Sequence, residues 1–298
     1  MVQCVVYYEG SDVSLVYYNK PKPADYYYLN IHTHDLVIPY YGSQRRVRVM
    51  TPKDYDSETD QHYPVLYMHD GQNVYYSKES FVGHSWKVIP TIKNNLHLPK
   101  MIVVAVDNAS ENRLNEYSPW QTELNKNKDF SNMGGDGVVY GEWFVDELKP
   151  FIDQHYRTLA DKEHTLLVGS SMGGNITAYM GAAYPHIFGT LGIFSLASWF
   201  SEGQFLNFIQ SNPLCPQTKV YIQVGTDEGD ATDRSLLEGK MNQAYIDVSI
   251  RYYNSLLRAG HSLDNIWFRV MADERHHEVY WARHFGEFLN FAFNAWPH

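Results

Sequence analysis

The stretch LLVGSSMGGNITAYMG, residues 166–181, decides the fold of this 298-residue chain. An apolar run leads into two adjacent serines that stand between glycines, and a segment rich in small residues follows. The apolar run predicts a buried β-strand, and the small residues predict a helix that packs closely on a sheet. The two segments meet in the pattern G-x-S-x-G, which requires a sharp strand-to-helix turn. We therefore expect Ser171 to lie at the apex of such a turn.

Outside this stretch, short apolar runs alternate with helical patterns. Several of the runs are apolar throughout, as expected of strands that are covered on both faces. The predicted strands are 63–69, 101–106, 165–168, 190–195, 220–224 and 266–271, and helical stripes lie at 144–152, 241–259 and 285–292. Segments 26–32 and 44–50 alternate and predict an antiparallel lead-in. We predict one α/β domain over residues 1–298, with a mainly parallel sheet and helices on both faces.

The composition excludes several classes of protein. With 44% hydrophobic and 19% charged residues the chain can bury a large core, and its formal net charge of −10 argues against nucleic acid or an anionic membrane as a partner. The two cysteines, Cys4 and Cys215, make neither a disulfide framework nor a zinc pattern. No signal peptide or membrane-spanning run is evident, so we expect a cytoplasmic enzyme. We expect no cofactor, because the one stretch that is similar to a phosphate loop, GSSMGGN, lacks the lysine of a P-loop. Composition leaves the oligomeric state open, homo-oligomers included.

Ser171 is the candidate nucleophile of the chain. The turn needs very small neighbours two positions to either side, and Gly169 and Gly173 meet that need. The helix that follows directs backbone N–H groups at the site, which favours developing negative charge. The alternative is a Gly/Ser turn that only caps the helix. Ser170 is one position away from the apex and has no such claim.

A serine hydroxyl needs a base within hydrogen-bond reach. His276 and His277 lie in ADERHHEVYWARHF, residues 272–285, between the last strand and the C-terminal helix. That loop is at the carboxyl end of the sheet, where functional residues of such folds gather. Position alone does not separate the two histidines. A metal site at the pair is disfavoured, because adjacent residues rarely chelate one ion and no other ligand cluster supports it.

The acid and the oxyanion donors are expected in two further loops. After the strand at 220–224 the chain reads GTDEGDATD, and Asp227, Glu228 and Asp230 are all candidates for the acid. One oxyanion donor is expected to be the backbone N–H of Met172, directly after the nucleophile. The other is expected in the loop after an early strand, here HDGQ at residues 69–72.

The connection from 107 to 137 is too long for simple linkage and shows no periodic element. Loops of this length in compact domains are usually functional or disordered. Its aromatic residues favour a folded wall of a pocket. We expect Tyr117 and Trp120 to line that wall and Arg113 to lie near a polar end.

These motifs resemble the esterase branch of the α/β-hydrolases, the group that contains enterochelin esterases, S-formylglutathione hydrolases, feruloyl esterases and mycolyl transferases. The similar segments are YMHDGQNVY, DNASENRLNEYSPW, GEWFVDELKPFIDQHYRT, VGSSMGGN, VGTDEGD and HHEVYW, and they extend over about residues 45–293. The resemblance implies an α/β-hydrolase fold. It also implies a serine carboxylic-ester hydrolase that acts through a Ser-His-acid triad and an acyl-enzyme.

The resemblance assigns roles that the residues alone leave open. In this family the histidine commonly stands five residues before an aromatic, so Trp281 implies His276. The acid commonly stands three residues after the glycine that ends the strand, so Gly225 implies Glu228, with Asp227 in reserve. The residue after the Asp-Gly pair, Gln72, is implied as the second oxyanion donor.

Three functions are consistent with this sequence. The first is hydrolysis of a small or carbohydrate-linked acyl ester, with no cofactor and a small-molecule ester as the partner. The second is acyl transfer by the same residues to an alcohol or sugar. The third, a binding protein on the same scaffold, is disfavoured because all three triad positions are filled.

Overall fold

An eight-stranded sheet forms the centre of the structure, a computed structural model that describes residues 3–9, 12–18, 30–123, 132–229 and 241–293. Strands β1 (Gln3–Glu9) and β2 (Asp12–Tyr18) form a separate antiparallel pair. The eight strands of the central sheet are β3 (Asn30–Ile38), β4 (Ser43–Thr51), β5 (Val65–Met68), β6 (Ile102–Val106), β7 (Thr165–Ser170), β8 (Thr190–Phe194), β9 (Lys219–Gly225) and β10 (Ile266–Met271).

The strand order is β10-β9-β8-β7-β5-β6-β4-β3. The strands from β10 to β6 are parallel, whereas β4 pairs antiparallel with both β6 and β3. The predicted fold, a mainly parallel sheet with an antiparallel N-terminal lead-in, is confirmed. Because the parallel strands run the same way, the segments that follow β5, β7, β8, β9 and β10 meet at one edge of the sheet.

Helices cover both faces of this sheet. They are α1 (Val88–Asn94), α2 (Arg113–Glu116), α3 (Gly137–Trp143), α4 (Lys149–His155), α5 (Met172–Ala183), α6 (Glu202–Ser211), α7 (Met241–Arg258) and α8 (Glu278–Ala292). A π-helical turn at Phe144–Leu148 joins α3 to α4. No described helix has the length and apolarity needed to cross a membrane.

The core lies in two layers, one on each face of the sheet. Alternate residues of β6 show the division: Val104 and Val106 belong to one buried cluster, and Val103 and Ala105 belong to the other. A strand buried on both faces carries no polar alternation, which is why β5 to β9 read as near-continuous apolar runs.

One expectation about the chain between the strands was wrong, and one helix was not foreseen. The connection after β6 was expected to lack regular elements, but it contains a 3-10 turn at Ser110–Asn112 and the short helix α2. Helix α6 was not predicted. These elements are short, and α6 buries only Phe205 and Ile209, so the helical period leaves a weak trace in the sequence.

Candidate active site

The turn between β7 and α5 holds Ser171 in a backbone conformation that few residues adopt. Its φ is 59° and its ψ is −126°. A Cβ atom added at Gly169 would lie 2.2 Å from the carbonyl oxygen of Gly173, so the turn closes only with glycine there. The N–H of Ser171 donates to the Phe194 carbonyl at 2.9 Å, which ties the turn to the end of β8. The structure therefore has the strained strand-to-helix turn that the motif predicts.

The structure brings His276 and Glu228 together. The Nδ1 atom of His276 is 2.8 Å from Oε2 of Glu228, whose side chain is 0% exposed. Trp281 and Tyr245 enclose the imidazole, with ring centroids 5.0 and 4.6 Å from it. A buried carboxylate at Nδ1 fixes which imidazole nitrogen carries the proton and leaves Nε2 for proton transfer.

The alternative acid and base lie elsewhere. The side chain of Asp227 is 40% exposed and pairs with Arg275 Nε at 2.9 Å. Asp230 is outside the described residues. His277 accepts the N–H of Val279 on Nδ1 at 3.1 Å and thereby caps the start of α8. Geometry thus pairs His276 with Glu228 and leaves Asp227 and His277 in other contacts.

Ser195, directly after β8, is a member of this cluster that the sequence did not reveal. Its Oγ donates to Glu228 Oε1 at 2.7 Å and accepts the indole N–H of Trp281 at 2.8 Å. The backbone N–H of Gly225 donates to the same carboxylate oxygen at 2.6 Å. A lone serine after a strand has no motif, and its position after β8 is the only sequence signal that could have found it.

The loop after β5 forms a tight turn close to the turn that holds Ser171, since Asp70 Oδ2 would lie 3.0 Å from a Cβ atom built on Gly173. Asp70 has φ 53° and ψ 50°, a left-handed conformation, and a 3-10 turn at Gly71–Asn73 follows. The side chain of Gln72 accepts the N–H of Asn108 at 3.3 Å. Within the part of the chain that the structure describes, the backbone N–H groups of Gln72 and Met172 have no acceptor. Both predicted oxyanion donors are thus left available.

The profile of the family described as "Putative esterase" matches residues 38–285. The chain belongs to this family. It is therefore a serine esterase, an enzyme that hydrolyses carboxylic esters, as the sequence predicted.

Similar proteins are distant in sequence but similar over most of their length. The uncharacterized protein YbbA of Bacillus subtilis (strain 168) is 22% identical over 245 residues, which is 82% of this chain and 90% of YbbA. The IroE-like serine hydrolase from Shewanella oneidensis has a TM-score of 0.68 at 17% identity, with 90% of this chain and 82% of that one covered. A CE1 ferulic acid esterase from Anaeromyces mucronatus, solved with ferulic acid, has a TM-score of 0.61 at 19% identity, with 93% and 94% covered. At this identity the solved structures support the fold.

Arg113 of the esterase supports the turn after β5. Its Nε and Nη2 atoms donate to the two carboxylate oxygens of Asp70 at 2.6 and 2.8 Å, and Asn108 Nδ2 donates to Oδ1 at 2.6 Å. Burial would raise the pKa of Asp70, but the charge and hydrogen bonds of Arg113 and Asn108 outweigh it and lower that pKa. We expected Arg113 at a polar end of the pocket, but its guanidinium is held by Asp70.

The predicted aromatic wall is wrong for Tyr117. Its ring is 0% exposed, and its hydroxyl accepts the backbone N–H of Asp70 at 3.1 Å. Trp120 is half-buried and packs edge-on against Tyr179 and Phe208 of α5 and α6. Aromatic residues in a loop look alike in sequence whether they face a pocket or the core.

His69, at the end of β5, is a neutral histidine behind the same turn. Its Nδ1 lies 2.9 Å from the Tyr140 hydroxyl, and Nε2 is buried with no partner among the described residues. Burial lowers its pKa to about 3, with Arg113 also lowering it and Asp70 opposing. His69 therefore adds no charge beside the turn after β5 at neutral pH.

Glu278 is a buried carboxyl between the turn after β5 and the loop after β10 that contains His276. Asn73 Nδ2 donates to its Oε1 at 3.0 Å, and the residue is 6% exposed. Burial raises its pKa to about 7, its own backbone N–H lowers it, Asp70 raises it, and His276 and Arg113 lower it. The folded protein therefore keeps a proton on Glu278 in a pH range where an unfolded chain has lost it.

This difference predicts a pH-dependent stability. Because the folded-state pKa of Glu278 is above the ordinary value of 4.5, the contribution of this group to stability is greatest at low pH and falls as pH rises from 4.5 to about 7. We expect Glu278→Gln, which keeps the acceptor for Asn73, to raise the free energy of unfolding at pH 8 by at most about 3 kcal/mol and to change it little at pH 4.5. Urea melts at both pH values measure this, with Glu142→Gln, at an exposed position, as the control. An equal effect at both pH values would contradict the assignment.

Within residues 30–123, 132–229 and 241–293, no group of three or more His, Cys, Asp or Glu side chains is arranged to hold a metal ion.

Proposed function

We propose that this esterase hydrolyses a small or carbohydrate-linked acyl ester through a triad of Ser171, His276 and Glu228. The observation that carries the proposal is the buried contact of 2.8 Å between Glu228 and His276 Nδ1, at the edge of the sheet where the Ser171 turn lies. Two further hydrogen bonds support it: the backbone N–H of Ser171 donates to the Phe194 carbonyl, and the side chain of the next residue, Ser195, donates to Glu228.

In the first half of the reaction, the Ser171 Oγ attacks the ester carbonyl while His276 Nε2 accepts its proton. The tetrahedral intermediate collapses, its bond to the alcohol oxygen breaks, and His276 returns the proton to the leaving alcohol. An acyl group remains on Ser171 Oγ. In the second half, water attacks this acyl-enzyme with its proton passing to His276, and the carboxylic acid leaves as Ser171 recovers the proton. Glu228 orients His276 and stabilises its charged form throughout.

The negative charge on the carbonyl oxygen needs preorganised donors. The backbone N–H groups of Met172 and Gln72 are proposed to supply them, because neither has an acceptor among the described residues. Met172 also begins the 12-residue helix α5, whose N-terminus favours negative charge. The ion pair between Arg113 and Asp70 holds the backbone from which Gln72 donates.

Labelling with a fluorophosphonate and mapping the adduct by mass spectrometry tests the proposal. We expect the adduct on Ser171, with hydrolysis of p-nitrophenyl acetate and butyrate abolished in proportion to labelling. Methyl ferulate and acetylated sugars then test the acyl and alcohol preference. Ester product formed on added alcohols in preference to acid would assign acyl transfer instead. No adduct on the folded protein would overturn the triad.

A further inference from the structure

The carboxylate of Glu228 is held by a buried pair of side chains, Ser195 and Trp281. The Ser195 Oγ lies 2.7 Å from Glu228 Oε1 and 2.8 Å from Trp281 Nε1. Ser195 and Glu228 are both 0% exposed, and Trp281 is 4% exposed. Water therefore does not compete for these hydrogen bonds, and the buried polar atoms find their partners in one another.

The direction of both hydrogen bonds follows from the atoms present. An indole N–H can only donate, so Ser195 Oγ must be its acceptor. The hydroxyl has a single hydrogen, which is then free to point only at the carboxylate. The result is an ordered chain in which Trp281 donates to Ser195, Ser195 donates to Glu228 Oε1, and His276 donates to Glu228 Oε2.

The backbone of Ser195 is fixed in a conformation that non-glycine residues rarely adopt. Its φ is 47°, and its N–H donates to the Gln223 carbonyl at 2.7 Å. Strain of this kind persists only where the surrounding structure enforces it, and it concentrates at functional sites. Here the enforced conformation aims the hydroxyl at Glu228.

Trp281 contacts His276 directly and is linked to Glu228 through Ser195. Its N–H reaches Glu228 through Ser195, while its ring packs edge-on to the His276 imidazole with centroids 5.0 Å apart. One side chain thus restricts the rotation of His276 and the orientation of Glu228 together.

We propose that Ser195 is a positioning residue for ester hydrolysis and that Trp281 sets the direction in which its hydroxyl donates. The role rests on the proposed triad. It acts through Glu228, because the Ser195 hydroxyl donates to that carboxylate, whereas the backbone of Ser171 is hydrogen-bonded to Phe194 and Ala197.

The variant Ser195→Ala tests this role. We expect kcat to fall about 10- to 100-fold with KM changed less than threefold, because a donor to a charged group is lost while the substrate pocket is untouched. With less of its charge shared among donors, Glu228 stabilises protonated His276 more, so the acid limb of the kcat/KM profile should move to higher pH. Ser198→Ala is the matched control, because Ser198 is equally buried and its Oγ has no partner among the described residues. An unchanged kcat in folded Ser195→Ala would overturn the role.

A double-mutant cycle separates positioning from a general structural effect. If Ser195 acts through the acid, Ser195→Ala should cost less than twofold in a Glu228→Gln background. Additive losses would overturn the proposal. Should Ser195→Ala fail to fold, Trp281→Phe keeps a ring beside His276 while it removes the N–H, and a loss of about 3- to 10-fold in kcat is then expected.

Fluorophosphonate labelling keeps the two proposals distinct. Ser195→Ala should still be labelled on Ser171, only more slowly. If the wild-type protein is not labelled on Ser171, the triad itself is wrong. If it is labelled but Ser195→Ala reacts at the wild-type rate, the role of Ser195 alone is excluded.

Discussion

Replacement of Ser171 by alanine is expected to lower kcat on p-nitrophenyl butyrate by roughly 10⁴-fold or more, because no acyl-enzyme can form and only the oxyanion donors and binding remain. The fold should persist. Ser171 makes no side-chain capping bond to α5, and its half-buried hydroxyl leaves no large cavity when removed. A urea midpoint close to wild type, measured beside the kinetics, separates loss of chemistry from loss of structure.

Ser170→Ala is the matched control, one residue earlier. Ser170 is the buried last residue of β7, ahead of the turn, so its alanine variant should keep at least a third of the activity. Undiminished hydrolysis by Ser171→Ala, with the fluorophosphonate adduct on another residue, would show that the nucleophile is not Ser171.

The second large effect is expected for Glu228→Gln, a loss of about 10³- to 10⁴-fold in kcat. All three groups that face the carboxylate donate hydrogen bonds: His276 Nδ1 to Oε2, and the Ser195 hydroxyl and Gly225 N–H to Oε1. A glutamine amide must turn its NH₂ toward one side or the other. Either orientation places a donor against a donor. The side chain then loses either the hydrogen bond that fixes the His276 tautomer or the hydrogen bonds from Ser195 and Gly225 that hold it in place.

Asp227→Asn makes the same chemical change at the adjacent position. Because Asp227 is exposed and pairs with Arg275 in water, this variant should stay within about twofold of wild-type activity. A larger loss from Asp227→Asn than from Glu228→Gln would move the role of the acid to Asp227. The comparison needs kcat and KM for both variants and far-UV circular dichroism to show that each is folded.

The sequence revealed those parts of the site that are determined locally. Five contiguous residues specify the turn around Ser171, since a Cβ atom at Gly169 would lie only 2.2 Å from the carbonyl oxygen of Gly173. The candidate acid was harder to assign, because three candidate carboxylates share one loop after β9. A Cβ atom on Gly225 would lie 2.1 Å from the carbonyl oxygen of Glu274, so the loop after β10 crosses the end of β9 at that glycine. That crossing, which turns Glu228 inward, is a property of the assembled sheet.

The contacts that sequence reasoning missed join segments that are distant in the chain. Ser195 bonds to residues 33 and 86 positions away, and Asn73 bonds to Glu278 at a separation of 205. No periodicity or motif reports such pairs. The ion pair of Arg113 was missed for the same reason, because its partner Asp70 is 43 positions earlier.

The parallel order of the sheet also bears on how activity appears when the protein refolds. Parallel strands pair only after long crossover connections close, so contacts between β8, β9 and the loop after β10 belong to the slow, non-local part of folding. The turn that holds Ser171 is formed by β7, β8 and α5, whereas His276, the proposed base, lies in the segment after β10. In any partly folded chain in which β10 has not paired, Ser171 can therefore be in place while His276 is not yet beside it. If the proposed triad is the catalytic machinery, we expect such a chain not to hydrolyse esters, and the return of hydrolysis during refolding should lag behind the return of helical circular dichroism.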